Sequence, residues 1–275
     1  MKLIETYSDI QFHMNSIRSL RKGFITNFYP DEFKSNLWIS QKELFFEIST
    51  DTIFFFHKKD EFTRLFYSST TLESLSYSLS AAKFEETLIT DIVINNLSSP
   101  ILTVFHLNGF KLYSSLVRMS KISQSNVFFY QSNEKIRNAT LTDIQEIQIL
   151  LTHNFDKYTE QIPVYEELEQ WVIQSHLIVY ELHSKIVGFL IYDLIGVTLY
   201  LRYWFVRPEY RDIKVGSELF REYLYRGKET KRQLFWVIQS NENAIKRYKH
   251  YGFEPENLYD LIMTNKNIQY ETESN

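Results

Sequence analysis

The sequence contains no cysteine and unusually little glycine. Without cysteine, a disulfide scaffold, a cysteine zinc site and a thiol nucleophile are all excluded. Only seven of the 275 residues are glycine, well below the usage of about 7% in globular proteins. This scarcity argues against glycine-rich linkers, collagen-like repeats and nucleotide loops built from several glycines. Each glycine that remains therefore marks a position where an unusual backbone conformation is worth looking for.

The sequence also lacks an excess of either charge. With 34 acidic and 30 basic residues the net charge is −4, so no basic surplus indicates a nucleic-acid partner. The first fifteen residues do not join a basic stretch to an apolar one, as a secretory signal would, and we expect a cytoplasmic location. Hydrophobic residues make up 44% of the chain and charged residues 23%, which is typical of a globular protein.

One apolar run, residues 187–206, has the length of a membrane span. Asp193 and Arg202 interrupt it, and Gly196 lies near its middle. The run is also rich in aromatic and β-branched residues, which favour strands over helices. We therefore predict two strands joined by a turn, and no membrane partner.

The second part of the chain has the pattern of a mixed α/β sheet domain. A capping box at Thr142–Gln145 begins its first helix, and Gly252 ends its last one. The predicted elements are strand 135–140, helices after Thr142 and after Pro163, strands Leu177–His183, Lys185–Asp193 and Val197–Val206, helix Val215–Tyr225, strand Gln233–Ile238, helix Glu242–Tyr251 and strand Leu258–Met263. The three consecutive strands are short and closely spaced, so an antiparallel meander is expected.

The first part of the chain repeats the later elements of this order. The predicted elements are helix Ser8–Arg21, strands Leu44–Ile48, Thr52–His57 and Glu61–Tyr67, helix Thr71–Ala82, strand Leu88–Ile94, helix Pro100–Leu107 and a strand that reaches Met119. Gly109-Phe110 and Gly252-Phe253 each follow a helix and precede a strand, 143 residues apart. This offset of about half the chain predicts an internal duplication, with domains at 1–125 and 134–275 and a linker within Ser120–Asn133.

A strand, a turn and a helix meet in the segment 205–219, which reads Phe-Val-Arg-Pro-Glu-Tyr-Arg-Asp-Ile-Lys-Val-Gly-Ser-Glu-Leu. Such a turn directs consecutive backbone N–H groups at one point, where the positive end of the helix dipole also lies. An anion such as a pyrophosphate binds well there. Arg211 would add charge near phosphate groups, and Lys214 or Arg207 could do the same.

This segment resembles the phosphate-binding motif of the GNAT superfamily of acyl-CoA-dependent N-acetyltransferases, a strand ending in Val followed by x-Pro-x-x-Arg/Gln-x-x-Gly-x-Gly/Ala. A second family pattern, Asn-x-x-Ala-x-x-x-Tyr-x-x-x-Gly-Phe, is matched from Asn241 to Phe253. The resemblance covers about residues 135–264 and implies a tandem GNAT-like fold with acetyl-CoA as cosubstrate. It implies that the donor is held by Phe205, Val206, Arg211, Asp212, Ile213, Lys214, Val215, Gly216, Ser217 and Asn241.

The resemblance also assigns a proton donor and shows one departure from the family pattern. Tyr248, four residues before Gly252, stands where the family commonly has the acid that protonates the departing thiolate. Lys214 stands where the family has its first glycine. If that position needs a positive φ, a lysine there costs on the order of 1 kcal/mol. The affinity for the CoA donor could be reduced, or the lysine side chain could partly compensate for the missing glycine.

The first domain lacks both features. Phe105 holds the position equivalent to Tyr248, and phenylalanine cannot donate a proton. Residues 68–74 contain no Arg/Gln-x-x-Gly-x-Gly turn. We interpret this domain as a degenerate GNAT-like copy that shapes the pocket or forms an interface.

A general base is harder to assign from the sequence. The family often has a glutamate near the third meander strand, where this chain reads Leu-Arg-Tyr-Trp at 201–204. The substitute candidates are Asp193, Glu181, Glu166, Glu167 and Glu169. An amine can also lose its proton to water, so a dedicated base is not obligatory.

Other chemistries have little support. His176 and His183 lie seven residues apart without a third ligand, so no metal is expected. No Gly-x-Ser-x-Gly elbow occurs, and the basic cluster Arg226–Arg232 is most simply a solvated loop. We predict an acetyl-CoA-dependent N-acetyltransferase that acts on a small-molecule or amino-acid-like primary amine, as a monomer or homodimer. The alternatives are a non-catalytic CoA-binding or scaffold protein, and an aminoacyl- or other acyltransferase of tandem type.

Overall fold

A computed structural model describes residues 1–123, 131 and 133–268 of the chain. The chain divides into two compact units. Unit 1 contains residues 1–117 together with the residues from 257 onward, and unit 2 contains residues 118–256.

Unit 1 is built on a twisted sheet with helices packed against it. Its elements are β1 (Lys2–Leu3), α1 (Tyr7–Ser19), β2 (Ile25–Thr26), α2 (Glu32–Ser40), β3 (Leu44–Ser49), β4 (Thr52–Lys58), β5 (Thr63–Ser69), α3 (Leu72–Ala81), β6 (Leu88–Ile94), α4 (Pro100–Leu107) and the first part of β7 (Lys111–Ile122). Hydrogen-bonded neighbours follow the order β1-β3-β4-β5-β6, and the end of the last strand of the chain lies next to β6.

The central strands of unit 1 form because their residues are apolar on both faces. Residues 52–57 of β4 are all buried, and a continuous apolar run of this length is typical of a strand covered on both sides. Helix α1 buries Ile10, Met14 and Ile17, a spacing that places them on one face. Helix α2 was not predicted, although Asp31 caps it by accepting a hydrogen bond from the Lys34 N–H at 2.8 Å.

Unit 2 contains the predicted mixed sheet. Its elements after β7 are β8 (Ile136–Asn138), a 3-10 turn (Leu141–Asp143), α5 (Ile144–Asn154), α6 (Tyr165–Ile173), β9 (Leu177–Leu182), β10 (Lys185–Ile195), β11 (Thr198–Val206), a 3-10 turn (Pro208–Ile213), α7 (Val215–Arg226), β12 (Arg232–Ile238), α8 (Glu242–His250) and the start of β13 (Glu254–Thr264). The neighbours follow the order β12-β11-β10-β9-β8. Strands β9, β10 and β11 form the expected antiparallel meander.

The first helix of unit 2 starts differently from the prediction. The capping box pairs Thr140 with Asp143 and not Thr142 with Gln145. The Asp143 carboxylate accepts hydrogen bonds from the Thr140 N–H and from Arg137, both at 2.7 Å. Because Arg137 anchors Asp143, residues 141–143 form a 3-10 turn before the α-helix begins.

The boundaries of the two compact units differ from those of the predicted domains, because they fall within strands β7 and β13. Strand β7 begins in unit 1 and ends in unit 2, and β13 begins in unit 2 and ends in unit 1. Within unit 1, Tyr259–Thr264 of β13 pair antiparallel with Ile94–Ile89 of β6. The boundaries at 125 and 134 therefore differ from the division into compact units, since each unit takes part of its sheet from the other half. Most of the predicted linker lies outside the described residues.

Two further features concern ligands and membranes. Within the described ranges, no group of three or more His, Asp or Glu side chains is arranged to hold a metal ion. None of the helices in those ranges combines the length and the apolar character that crossing a membrane requires.

Candidate active site

An opening between β11 and β12 defines the candidate site in unit 2. The two strands pair in parallel at Thr198–Tyr200 with Arg232–Leu234. Both strands continue past this point, β11 to Val206 and β12 to Ile238. Strand β11 stays paired with β10 up to Val206. Beyond Tyr200, its N–H and C=O groups that point away from β10 therefore face the opening, where an extended molecule could bind them.

Strand β11 delivers the chain to the predicted turn at the end of this opening. Lys214 has φ = 68°, in the left-handed region, and helix α7 begins at the next residue. The position thus has the backbone conformation that favours glycine, as the family pattern indicates. The Lys214 side chain makes no capping hydrogen bond to the first turn of α7. The first N–H groups of α7 are therefore not satisfied by a side-chain cap and are suited to bind an anion.

The residues predicted around this turn have different environments. Val215 is fully buried and packs near Gly188, so only its backbone can contact a ligand. Asp212 and Ile213 are exposed within the 3-10 turn, and Ser217 lies in the first turn of α7. The Arg211 Nε donates to the Val206 carbonyl at 3.3 Å. This bond holds the guanidinium of the exposed Arg211 beside the turn.

The Arg207 side chain, in contrast, forms hydrogen bonds to other residues of unit 2. Its Nε donates to the Ile186 carbonyl and its Nη2 to Glu146, each at 2.8 Å. It therefore contributes less to phosphate binding than the sequence suggested. Asn241 caps α8 by accepting a hydrogen bond from the Ala244 N–H at 3.0 Å, which leaves its Nδ2 group as the donor for a ligand.

Gly216 allows α7 to approach β11 closely. A Cβ at this position would lie 3.2 Å from the Trp204 ring and 3.4 Å from the Val206 side chain. Its lack of a side chain therefore serves the packing of helix on strand, and its role toward a ligand is limited to its N–H group. The Trp204 Nε1 is buried and has no hydrogen-bond partner among the described residues. A buried unpaired donor next to this turn fits a ligand that brings hydrogen-bond acceptors.

Tyr248 projects from α8 into a group of aromatic rings. Its ring centroid lies 4.2 Å from Phe235, 5.7 Å from Trp204 and 5.8 Å from Phe220. Removal from water raises the pKa of the Tyr248 hydroxyl, the Arg247 charge opposes this, and the Glu160 charge adds to it. The hydroxyl therefore stays protonated at neutral pH, as a proton donor must.

Three of the proposed bases are already bound to other groups. Asp193 accepts hydrogen bonds from Trp171 and Arg202 at 2.7 and 2.5 Å. Glu181 accepts a hydrogen bond from Arg137 at 2.7 Å, and Glu167 caps the start of α6. Of the two other candidates on α6, Glu166 is exposed and Glu169 is half-buried.

Glu160 was not predicted, although its charge acts on Tyr248. It lies in the loop between α5 and α6, next to Gln161, whose carbonyl accepts a hydrogen bond from the Tyr203 hydroxyl at 2.7 Å. This bond ties the loop to β11. No periodic pattern marks a loop residue of this kind, so sequence reasoning had no signal for it.

Unit 1 has an opening at the equivalent place, and its own chain fills it. Strands β5 and β6 pair in parallel only at their starts, Thr63–Arg64 with Leu88–Ile89. The Asn27 side chain then bridges the diverging strands. Its Nδ2 donates to the Leu65 and Asp91 carbonyls at 3.3 and 3.1 Å, and its Oδ1 accepts from the Tyr67 N–H at 2.7 Å.

The helix that follows β5 is also closed to an anion. Thr71 caps α3 by accepting a hydrogen bond from the Ser74 N–H at 3.1 Å. The chain at Gly23 lies so close to this turn that a Cβ there would be 2.6 Å from the Thr70 carbonyl. Phe105, the counterpart of Tyr248, is fully buried against Phe110 and Tyr67.

The strand opening, the left-handed turn and the uncapped helix define unit 2 as an acyltransferase-like α/β domain. Residues 144–253 match the model of the acetyltransferase (GNAT) family, so this part of the chain is a GNAT acetyltransferase domain. Membership implies acyl transfer from acetyl-CoA. A search of curated proteins finds no match to the sequence.

Solved structures show the same fold over most of the chain. A GNAT-family acetyltransferase from Colwellia psychrerythraea is 13% identical, with 96% of this chain and 98% of that chain covered and a TM-score of 0.55. A GCN5-related N-acetyltransferase from Kribbella flavida is 10% identical, with 86% and 94% covered and a TM-score of 0.55. A tandem GNAT protein from the clavulanic acid biosynthesis pathway is 10% identical, with 81% and 82% covered and a TM-score of 0.54. At these identities the likeness concerns the fold.

Proposed function

We propose that unit 2 transfers the acetyl group of acetyl-CoA to the primary amine of a small or amino-acid-like molecule by direct attack on the thioester. The observation that carries this proposal is the uncapped N-terminus of α7, preceded by Lys214 in the left-handed conformation, at the open end of β11 and β12. It combines an anion site with a groove for an extended molecule.

The residues present fit this donor. The first N–H groups of α7 and the Arg211 guanidinium would hold the pyrophosphate, and the backbone of β11 at Phe205 and Val206, where it faces the opening, would hold the extended arm. Trp204 Nε1 and Asn241 Nδ2 provide two further donors. When bound, acetyl-CoA supplies an activated acyl group.

Tyr248 would act as the general acid. Its hydroxyl remains protonated at neutral pH, and it would donate that proton to the sulfur as the amine nitrogen forms its bond to the carbonyl carbon. The aromatic rings around it exclude water from this side. The amine would lose its own proton to water or to a carboxylate near the acceptor.

Unit 1, by contrast, would not bind a second donor. Asn27 bridges its strand opening, and the N-terminus of α3 is capped by Thr71. We therefore expect one acetyl-CoA per chain.

Calorimetry with acetyl-CoA tests the donor site. We expect binding at sub-millimolar concentration with a stoichiometry of one. Absence of binding by both CoA and acetyl-CoA would overturn the proposal, and a stoichiometry of two would overturn the assignment of unit 1. Release of the CoA thiol over a panel of primary amines then tests turnover.

A non-catalytic CoA-binding protein is the second candidate. Asp193, Glu181 and Glu167 all accept hydrogen bonds within the fold. A lack of an available general base among them favours a protein that binds CoA without turnover. Tight CoA binding without CoA release over the whole amine panel would support it.

A further inference from the structure

Arg202 occupies a β-bulge where β11 and β12 separate. Ile191 of β10 pairs with Tyr203, and the next residue, Tyr192, pairs with Leu201, so Arg202 is the extra residue of β11. Tyr200, two residues earlier, is the last residue of β11 that pairs with β12. A bulge re-aims a side chain, and here the arginine extends to Asp193 of β10, beside the point where β11 and β12 separate.

The surroundings of Arg202 fix the orientation of its guanidinium. Its Nε donates to Asp193 Oδ2 at 2.5 Å, and Asp193 Oδ1 accepts from Trp171 Nε1 at 2.7 Å. The guanidinium carbon also lies 4.1 Å above the Tyr200 ring. The side chain is held on one edge and on one face, which lowers the entropic cost of binding a ligand on the remaining edge.

That remaining edge is available to a ligand. Asp193 engages only Nε, and the Arg202 side chain is 37% exposed. Nη1 and Nη2 make no hydrogen bond to any described residue. A guanidinium that presents two nitrogens in one plane matches the two oxygens of a carboxylate.

Arg202 lies on the face of the sheet that packs against α6, as the Tyr203 ring does. Trp204, two residues further, is 5.7 Å from Tyr248 between ring centroids. Trp204 and Tyr248 pack on the opposite face, and because β11 and β12 are not paired at this level, a small acceptor can extend between the two faces. On the loop tied to Tyr203, Glu160 places a negative charge near Tyr248, where the positive charge of an amine would be favoured.

We propose that Arg202 binds a carboxylate of the acceptor, so that the acceptor is an amine that carries a carboxylate, as an amino acid does. This inference rests on the acyl transfer proposed above. It assigns Arg202 a role in acceptor specificity, and it assigns Asp193 and Trp171 the role of positioning the guanidinium.

Matched acceptor pairs test this assignment. Each pair contains an amino acid and the same compound with its carboxylate replaced by a carboxamide, and CoA release gives kcat and KM for both. We expect the native protein to prefer the carboxylate by about tenfold or more in kcat/KM. Arg202→Met should remove this preference by raising KM for the carboxylate, while the carboxamide reacts as before. Arg202→Lys should restore part of the preference, because it keeps the charge without the planar fork.

The controls separate this role from a structural one and from the proposed function itself. Arg221→Met, at an exposed position of α7, should leave the preference unchanged. Acetyl-CoA should bind Arg202→Met as it binds the native protein. An equal loss with both acceptors, or a native protein without preference, would overturn the inference and leave acyl transfer standing. No CoA release from any acceptor would overturn both.

Discussion

At the scale of single residues, the two units differ most clearly at one aromatic position. Tyr248 and Phe105 both lie four residues before a glycine that ends a helix, and both pack among aromatic rings. Burial of Phe105 stabilises unit 1 through its apolar area alone. Tyr248 is only partly buried, but the rings around it keep water from its hydroxyl, raise the hydroxyl pKa and hold it protonated. The hydroxyl and the partial exposure of Tyr248 therefore separate a candidate acid from a core residue.

Replacing Tyr248 by phenylalanine should remove the acid and preserve the packing. We expect kcat for acetyl transfer to fall by about 100-fold or more, with little change in acetyl-CoA affinity. Steady-state CoA release and calorimetry measure the two quantities. Tyr251→Phe is the matched control, since Tyr251 also packs on Phe220, at 4.6 Å. Full turnover by Tyr248→Phe would show that the acid lies elsewhere.

At the scale of elements, the N-termini of α3 and α7 differ in whether their N–H groups can bind an anion. Both helices follow a strand that has just parted from its parallel neighbour. Helix α3 begins with a threonine cap, whereas α7 begins after a left-handed lysine without a side-chain cap. A capped N-terminus has a donor fewer to offer and an uncapped one attracts anions.

Lys214→Gly tests the strain at this turn. A residue other than glycine in the left-handed region costs on the order of 1 kcal/mol, so we expect the free energy of unfolding to rise by roughly that amount. Acetyl-CoA affinity should change by less than about threefold, because backbone N–H groups carry the contact. Urea unfolding and calorimetry measure both. Lys42→Gly, at φ = 56° in unit 1, should stabilise similarly without affecting binding. A large loss of affinity in Lys214→Gly alone would assign the contact to the lysine side chain.

Asn27→Ala tests the bridge that closes the opening of unit 1. The change leaves the Tyr67 N–H and the Leu65 and Asp91 carbonyls without this partner, and each buried unpaired group costs about 1–3 kcal/mol. We expect the free energy of unfolding to fall by about 2 kcal/mol or more, measured by urea unfolding. Asn15→Ala, on the exposed side of α1, should change it by less than about 0.5 kcal/mol. Equal stability of the two variants would contradict the bridging role.

At the scale of the whole molecule, each half of the sequence completes the sheet of the other unit. Strand β13 belongs by sequence to the second half, yet its Leu261 and Met263 lie in the core cluster of unit 1. In unit 2, the end of β7 is held by bonds from Arg118 to Glu256 at 2.5 Å and from Lys121 to the Tyr251 carbonyl at 2.9 Å. Neither half therefore contains all of one unit.

A chain shortened to end at Glu256 should lose the structure of unit 1. It removes three buried side chains, Leu261, Ile262 and Met263, each worth about 1.5–3 kcal/mol of burial, against a typical total stability of about 5–15 kcal/mol. Hydrogen exchange should show loss of protection in Leu88–Ile94, the strand that pairs with β13. A chain ending at Ile268 is the control and should keep that protection. Unchanged protection in the shorter chain would contradict the pairing.

Local patterns predicted many of the elements and the candidate site. The meander, the helix after the phosphate turn and the glycine that ends α8 each depend on residues close in sequence, as does the left-handed position at Lys214. Where prediction differed, a more distant partner intervened. Arg137 draws Asp143 into the cap of the first helix of unit 2, and the pairing of β13 depends on a strand about 170 residues away in the chain.

The sequence by itself therefore determined the α/β class, the family resemblance of the second half and the place of the turn before α7, because all three depend on short-range spacing. Only the tertiary structure decided which strand completes which unit, that Asn27 closes the opening in unit 1, and that Asp193 orients Arg202 at the bulge in unit 2. These features depend on hydrogen bonds between different strands or helices, which local periodicity does not reveal. The scarce glycines illustrate the difference, since the spacing located Gly216 and the structure showed that Trp204 packs against it.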